Sequence, residues 1–564
     1  MKSTRLVDKL IPVLFEDKSL LAVSKPAGVD VGASAEGSTN GVAEILTSLK
    51  GRSGILHPVN RLSRYESGVL LFAKNESMAG TIRAALKSHR IVQLFEVLVS
   101  GAPKQQVTTI DSSHGASQGR RPTNPKGYFR RGGPETARGK EAAALLADRV
   151  RTVVRLVSRG EKSSLVRCQT SISTTHALRA QLRAVKLRAV GDRPTNPSHR
   201  KPNPEATCFH LAEIRFVHPG KDATITVKSK TPPSFSSVVG GRVDITRRLT
   251  AALARRLPLI DRHDTDAYRL LTGDAEDVKG LVAERFGDVV VLQASGDYPG
   301  LKTLLRPAAS WYQETLGVRA VYVKHFARNR TAIDEAQSAS QFSPRPLIGQ
   351  ETDPAIKVRE RGLTYMVHPY DGFSVGLFPD QRDNRSTIRK LAPGKDVLNL
   401  FAYTCSFSVA AAAGGAASTV SVDLSGKTLD WGRENFAANH LPLDGHSFVT
   451  ADVMDFLKRA RREDRSFDVA IVDPPSFAHG RKRGRSFSIT RDLPELLSGV
   501  VALLRPEGVL MLSTNHRRSR VPDLRRFINQ GAGGRRFHVL ETPKLTADYA
   551  MDPDHAKTLI VQFE

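Results

Sequence analysis

The pentapeptide Asp473-Pro474-Pro475-Ser476-Phe477 directly follows the apolar run Phe467-Asp468-Val469-Ala470-Ile471-Val472. Read as a buried strand, that run delivers a carboxylate to the carboxyl edge of a sheet. Pro474 and Pro475 fix φ and have no N–H, so no helix continues through them and their carbonyls stay available as acceptors. Phe477 adds a flat ring nearby. A carboxylate, a carbonyl and a ring suit a planar amine or nucleobase held edge-on, and the chemistry such positioning serves is base methylation. Asp473, the Pro474 carbonyl and Phe477 are the expected catalytic, base-positioning set. The same residues also spell a plain Pro-Pro turn after a buried strand, so the run alone leaves both readings open.

The elements around it narrow the choice. Val397–Phe401, Thr419–Val422, Ser447–Thr450, Val469–Val472 and Gly508–Ser513 read as strands with helical periodicity between them. Lys427 to Asn439, for example, sets Leu429, Phe436 and Ala437 toward one side. Such alternation predicts a parallel, doubly wound α/β sheet of Rossmann-like form, whose ligands bind at the carboxyl edge. The first strand runs into Asn399-Leu400-Phe401-Ala402-Tyr403-Thr404-Cys405-Ser406, a small-residue turn that lets a ligand approach the backbone. Asp423, after the second strand, could accept both hydroxyls of a ribose. Asp452, after the third, could accept from an adenine amine, and Asp473 follows the fourth. Each Asp alone is a common helix cap. The ordered set, after a small-residue turn, is the layout for S-adenosylmethionine, with no metal, and Asn399 and Thr404 of the turn join the expected cofactor-binding residues.

The chain has 564 residues, too many for one core, and 40% of them are hydrophobic, as in a soluble globular protein. Its net charge of +27 favours a polyanionic partner through phosphate neutralisation. Cys168, Cys208 and Cys405 are widely separated and give neither a disulfide framework nor metal-ligand spacing, which fits a reducing cytoplasm. No apolar run reaches the length of a membrane span, and nothing marks an oligomeric state.

Three blocks emerge, making a multidomain protein. Residues 1–232 form the first. Within it lies a Gly/Pro/Arg-rich interval, 119–140, expected to be a basic loop, and Arg-Pro-Thr-Asn-Pro occurs at 121–125 and again at 193–197 as turn composition. Residues 229–240 read as a linker. The second block, 241–350, is a small α+β domain. It is expected to open with an amphipathic helix (Ile245, Leu249, Ala252, Leu253, Leu257), followed by strands at Tyr268–Leu271, Val278–Glu284 and Val289–Gln293, a helix from Gly300 to Leu316 and a strand at Ala320–Lys324. The third block, 351–564, is the Rossmann-like domain.

Gly376-Leu377-Phe378-Pro379-Asp380-Gln381-Arg382-Asp383-Asn384-Arg385, the Asn399–Ser406 turn, Val422-Asp423-Leu424-Ser425, Asn435 to Asn439 and Asp473–Phe477 resemble the large-subunit ribosomal RNA methyltransferases of the RlmI and RlmK type. Tyr268–Gly273 and Gly280–Asp288 in the middle block are similar too, so the resemblance covers about residues 265–564. It implies a class I S-adenosylmethionine-dependent methyltransferase acting on 23S ribosomal RNA or the pre-ribosomal large subunit. It also implies that Gln381, Phe401, Tyr403, Asp423, Asp452 and Asp473 contact the cofactor.

Carbon-5 of a pyrimidine is not nucleophilic until a thiolate adds to carbon-6. Family members that make 5-methylcytosine carry that Cys after the fifth strand or near the Asp-Pro-Pro run; here those places hold Leu512–His516 and Ser476. Cys405, in the cofactor turn, reads as a buried filler. Guanine N7 has its own in-plane lone pair, and Ser513–Arg518 is more similar to the guanine-N7 branch. The loop Arg481-Lys482-Arg483-Gly484-Arg485 is expected to hold RNA phosphates. Methylation of cytosine or of a guanine exocyclic amine, and a non-catalytic ribosome-assembly role, stay open as alternatives.

The first block resembles RluA-type pseudouridine synthases, with losses. Glu16-Asp17 through Lys25-Pro26-Ala27-Gly28 matches the opening family segment. Asn60-Arg61-Leu62-Ser63-Arg64-Tyr65-Glu66-Ser67-Gly68 aligns with the catalytic segment, but Ser63 stands where the catalytic Asp belongs. Phe95 holds the active-site Tyr position, and Thr174 replaces an Arg ahead of His176 and Arg179. The resemblance implies an α+β pseudouridine-synthase-like domain without synthase activity, kept for binding RNA, with Arg61 among its RNA contacts.

Overall fold

The computed structural model describes residues 2–32, 41–49, 54–113, 149–191, 208–221, 223–241, 245–260, 262–295, 298, 300–326, 342–372, 374–475, 477–479 and 486–564. The basic interval 119–140, both Arg-Pro-Thr-Asn-Pro copies and Arg481–Arg485 lie outside the described residues. The chain divides into two compact units, Met1–Asp261 and Arg262–Glu564, where the sequence reads as three blocks.

The first unit is built on a mixed sheet, eleven-stranded among the described residues. Its centre runs Leu20–Lys25, Ser67–Ala73, Phe209–Val217, Val92–Ser100 and Ser163–Thr170. Ser67–Ala73 is buried at every position, as a strand covered on both faces must be. Two expectations change here. Residues 233–239, read as linker, form the helix Pro233–Val239, whose Phe235 is 1% exposed against Leu98, Leu165 and Cys208. Proline at the start of a helix is preorganised for it, so the Pro-Ser composition misleads. The amphipathic helix, Thr246–Arg255, belongs to this first unit and does not open the second. Arg255 Nη1 donates to Gly28 O at 2.9 Å and Arg247 Nη2 to Tyr65 O at 2.8 Å.

The second unit begins with a five-stranded sheet, Ala267–Thr272, Leu281–Phe286, Val289–Ser295, Ala320–Phe326 and Ile348–Gly349 in sheet order, with Leu301–Leu316 as the crossover helix. The strand expected from Val278 starts only at Leu281, because Gly273–Glu276 is a 3-10 turn ending in left-handed Asp277 (φ 60°). A hairpin, Ile356–Glu360 and Leu363–Val367, follows.

The Rossmann-like sheet comprises β1 (Asp396–Leu400), β2 (Ser418–Asp423), β3 (His446–Thr450), β4 (Phe467–Val472), β5 (Leu504–Thr514), β6 (Phe537–Glu541) and β7 (Lys557–Phe563). Their order is β3-β2-β1-β4-β5-β7-β6, with β7 antiparallel to its neighbours and the first five parallel. The strand order reverses between β1 and β4, which opens a crevice at the carboxyl edge. The helices are α1 (Arg382–Leu391), α2 (Ser406–Ala413), α3 (Gly426–Ala438), α4 (Val453–Arg462), α5 (Ile489–Val501) and α6 (Val521–Gly531). Val469 and Ile471 of β4 pack under α1 and α2, while Ala470 and Val472 face the other layer with α4, α5 and α6. Each buried Val or Ile among them contributes about 1.5–3 kcal/mol. Among the described residues, no helix is long and apolar enough to cross a membrane.

Candidate active site

Strand register sets the site. Leu400 of β1 is level with both Val422 of β2 and Val472 of β4, and Val472 is level with Leu512 of β5. Phe401, Asp423, Asp473 and Ser513, each one residue further on, therefore line up along one edge. Asp423 is paired with Thr450 at the end of β3, which brings Asp452 to the same rim.

The turn after β1 contains no glycine, yet Phe401, Tyr403 and Cys405 have φ of 58°, 49° and 57°. Each non-glycine residue in that region costs about 1–2 kcal/mol, so the surroundings must over-determine it. They do. Ala402 N donates to Val422 O (3.0 Å), Tyr403 N to Asp423 Oδ2 (2.9 Å) and Cys405 N to Ala402 O (2.8 Å). Thr404 Oγ1 donates to Gly376 O (2.6 Å), and Asn435 Nδ2 to Thr404 O (2.9 Å). Gly376 itself is required: φ is +106°, and an added Cβ would lie 2.0 Å from Trp431 Cζ2.

Asp423 accepts one backbone N–H on each oxygen, from Tyr403 and from Ser425 at 2.9 Å each. Each oxygen keeps a lone pair for a further donor, which fits a ribose diol. Asp473 accepts from Gln381 Nε2 at 3.2 Å, and the same amide donates to Ser513 Oγ at 2.8 Å. Removal from water and the nearby Asp380 carboxylate push the Asp473 carboxyl up to about 7. Gln381 is held in turn by Asn384, whose Nδ2 donates to Gln381 Oε1 (2.5 Å) and Thr558 Oγ1 (2.9 Å).

The Gly376–Arg385 segment is the scaffold of this network. Asp380 pairs with His555 (3.4 Å), which lowers its carboxyl pKa against the opposing effect of burial. Arg382 Nη2 donates to Asp548 (2.6 Å), and Arg385 makes a two-pronged contact with Glu360 (2.7 and 2.8 Å). Asp548 also accepts from Arg269 N (2.9 Å), so the first strand of the unit is tied to the same buried cluster. The Asn435 and Asn439 side chains accept from Met366 N (2.7 Å) and Thr364 N (2.8 Å), fixing the hairpin to α3.

The structure thus brings Gln381, Phe401, Tyr403, Asp423 and Asp473 to the edge. The other expected cofactor residues make contacts within the chain. Asn399 is buried beneath α2 and donates to Ser408 Oγ (2.9 Å), because alternation along β1 turns it to that layer. Thr404 is buried with its hydroxyl turned to Gly376. Asp452 caps α4 through Met454 N (2.9 Å) and Asp455 N (3.3 Å). Pro474 is buried after β4, and Phe477 opens the short strand Phe477–His479. Sequence reasoning missed Asp380 and Ser513 as neighbours of Asp473; their partners lie far apart in the chain. It also missed Phe378, which is 51% exposed with its ring 5.4 Å from that of Tyr403.

Residues 336–543 match the sequence model of the S-adenosylmethionine-dependent methyltransferase family, and residues 19–184 match that of RNA pseudouridylate synthase. Ribosomal RNA large subunit methyltransferase K of Neisseria meningitidis is 34% identical over 54% of this chain and 84% of its own length. The chain belongs to the large-subunit ribosomal RNA methyltransferase family. Ribosomal RNA large subunit methyltransferase I of Klebsiella pneumoniae is 30% identical over 47% of this chain and 64% of that one. A methyltransferase crystallised in complex with SAH matches at 27% identity with a TM-score of 0.51, covering 64% of this chain and 89% of that one. The protein is an S-adenosylmethionine-dependent methyltransferase of this family, with a pseudouridine-synthase-type region ahead of it.

In that region Ser63 is exposed, and its amide donates to Glu66 Oε2 at 2.7 Å. Arg179 Nη2 donates to Glu66 Oε1 (2.9 Å) and stacks 5.3 Å from the Phe209 ring, which meets Phe95 edge-on at 6.5 Å. Thr174 caps the helix Thr175–Ala184 by accepting from Ala177 N, His176 is exposed, and Arg61 is exposed beside Ser63.

Proposed function

We propose that this enzyme methylates a base of large-subunit ribosomal RNA, at guanine N7, and that its synthase-like region binds RNA without isomerising uridine. The observation that carries the choice of atom is the state of the thiol. Cys405 is the one cysteine of Arg262–Glu564, it is fully buried, and burial pushes its thiol up to about 12. A Cβ on Gly432 would lie 2.5 Å from its sulfur, so α3 closes over it. Such a thiol is a poor candidate for the covalent adduct that carbon-5 methylation needs.

A ring nitrogen brings its own lone pair, so the chain has only to position it. The bound cofactor supplies the methyl group as a sulfonium. In this reading the Asp473 carboxyl and the Pro474 carbonyl accept N–H groups from the base edge, and Phe477 stacks on the ring. On the synthase side, Ser63 presents an exposed hydroxyl where the resembled family has its catalytic carboxylate, and among the described residues no hydrogen bond joins that hydroxyl to a base, which supports loss of that activity.

Radiolabelled methyl transfer from S-adenosylmethionine to large-subunit RNA of a deletion strain tests the proposal, with nucleoside mass spectrometry to name the product. Labelled 7-methylguanosine is expected, with no new pseudouridine. No incorporation into that RNA would sink the reading.

A further inference from the structure

Phe378 carries a ring that the methyl transfer described above does not use. It lies at the crevice rim, 51% exposed, with its centroid 5.4 Å from that of Tyr403 and the two planes 45° apart. Behind it Tyr403 meets Trp431 (6.2 Å), and Trp431 stacks on His368 (3.9 Å, 13°). Trp431 is buried, and its Nε1 donates to Met366 O at 2.9 Å. Phe378 is thus the outermost of four rings, and the rings behind it are held by the fold.

The backbone of Phe378 is fixed from both sides. Pro379 disfavours the α region for the residue before it, and Phe378 is extended (φ −107°, ψ 100°). Its carbonyl accepts from Gln381 N (3.2 Å) and from Arg385 Nη2 (2.9 Å), and Arg385 is itself buried against Glu360. The single 3-10 turn that Phe378 opens, Pro379–Gln381, ends in the side-chain amide that lies 3.2 Å from Asp473 Oδ2. One short turn therefore sets both the ring and the partner of the Asp473 carboxyl. A lone apolar side chain on a surface is ordinary. An anchored ring beside a crevice, backed by other rings and open to solvent, is a platform for a flat partner.

We propose that Phe378 is a stacking residue for the RNA base presented to Asp473. The proposal rests on base methylation as the reaction, and it adds a second ring to Phe477. Methylation takes a base out of its stack in RNA, and a protein ring replaces the lost neighbour. Asp423, where the ribose of the cofactor is expected, ends β2, across β1 from β4. Gln381 instead ties the turn of Phe378 to the ends of β4 and β5, the side on which the acceptor meets Asp473. Every base has a π face, so Phe378 supplies affinity for an unstacked base without choosing among bases. That choice falls to the Asp473 carboxyl and the Pro474 carbonyl.

Steady-state methyl transfer by the full chain to large-subunit RNA from a deletion strain tests this, alongside calorimetry with S-adenosylmethionine. Phe378→Ala is expected to lower kcat/KM for the RNA by roughly 10- to 100-fold, with cofactor affinity and melting temperature unchanged. Phe378→Tyr should restore the rate, because it keeps the π face. Phe378→Leu should stay as slow as Phe378→Ala, because it keeps apolar bulk without a flat face. Rescue by Phe378→Leu, an unchanged kcat/KM in Phe378→Ala, or a loss confined to cofactor affinity would overturn the assignment and leave base methylation standing. Absence of methyl transfer by the wild-type chain would overturn both.

Discussion

Gln381 Nε2 lies 3.2 Å from Asp473 Oδ2 and 2.8 Å from Ser513 Oγ, so one amide joins the segment before α1 to the ends of β4 and β5. These three positions are up to 132 residues apart in the chain. The amide fixes the rotamer of the carboxylate at the crevice where base and cofactor are to meet. Gln381→Leu keeps the size and removes both donors. It should raise the Asp473 pKa further and move the alkaline rise of methyl transfer to higher pH, which a pH–rate profile reads directly.

The elevated Asp473 carboxyl makes a signed prediction about pH. Between its ordinary 3.8 and about 7, the folded chain holds a proton that the unfolded chain has lost. This group's contribution to stability therefore falls as pH rises through that window. A cationic cofactor prefers the ionised form, so its affinity should rise roughly tenfold from pH 6 to pH 8. Asp473→Asn should flatten that dependence in calorimetric titrations; a flat wild-type profile would refute it.

Asp423 holds the turn after β1 and offers its remaining lone pairs to the cofactor. Asp423→Ala leaves Tyr403 N and Ser425 N without their acceptor. Cofactor binding should fall by roughly 100-fold, from two lost charge-assisted hydrogen bonds. Binding of ribosomal RNA, measured by filter retention, should stay close to wild type.

Asp548 is fully buried and accepts from Arg382 and from the Arg269 amide. Asp548→Ala would strand the Arg382 guanidinium, 1% exposed, in the core. Loss of about 3–5 kcal/mol is expected, read as a fall in the denaturant midpoint of the second unit. The pair is not thereby a large net stabiliser: replacing both partners with apolar side chains should be far milder.

Gly376→Ala places a methyl group into the Trp431 indole and forces a left-handed backbone on alanine. Destabilisation of about 1–3 kcal/mol should come with weakened cofactor binding, because the Gly376 carbonyl also holds Thr404. Quenching of tryptophan fluorescence on titration with S-adenosylmethionine checks both.

The residues of β1 to β5 announced themselves by period and composition, because a doubly wound sheet buries whole apolar strands and places its chemistry one residue beyond them. Asp423, Asp473 and the turn from Phe401 to Tyr403 were legible for that reason, and so was the methyltransferase family. Other features were not. Asn399 and Thr404 share the turn's composition, yet strand alternation and the Gly376 carbonyl draw both side chains inward. Asp452 looks like Asp423 in sequence and serves as a helix cap. The helix Thr246–Arg255 has the periodicity of any amphipathic helix, and only packing on Gly28 and Tyr65 decides which unit owns it. Sequence alone thus fixed which residues sit at strand ends, since that follows from local pattern. Tertiary structure alone decided which of them face the crevice and share a proton-sensitive network, since those depend on partners 92 and 132 residues away in the chain.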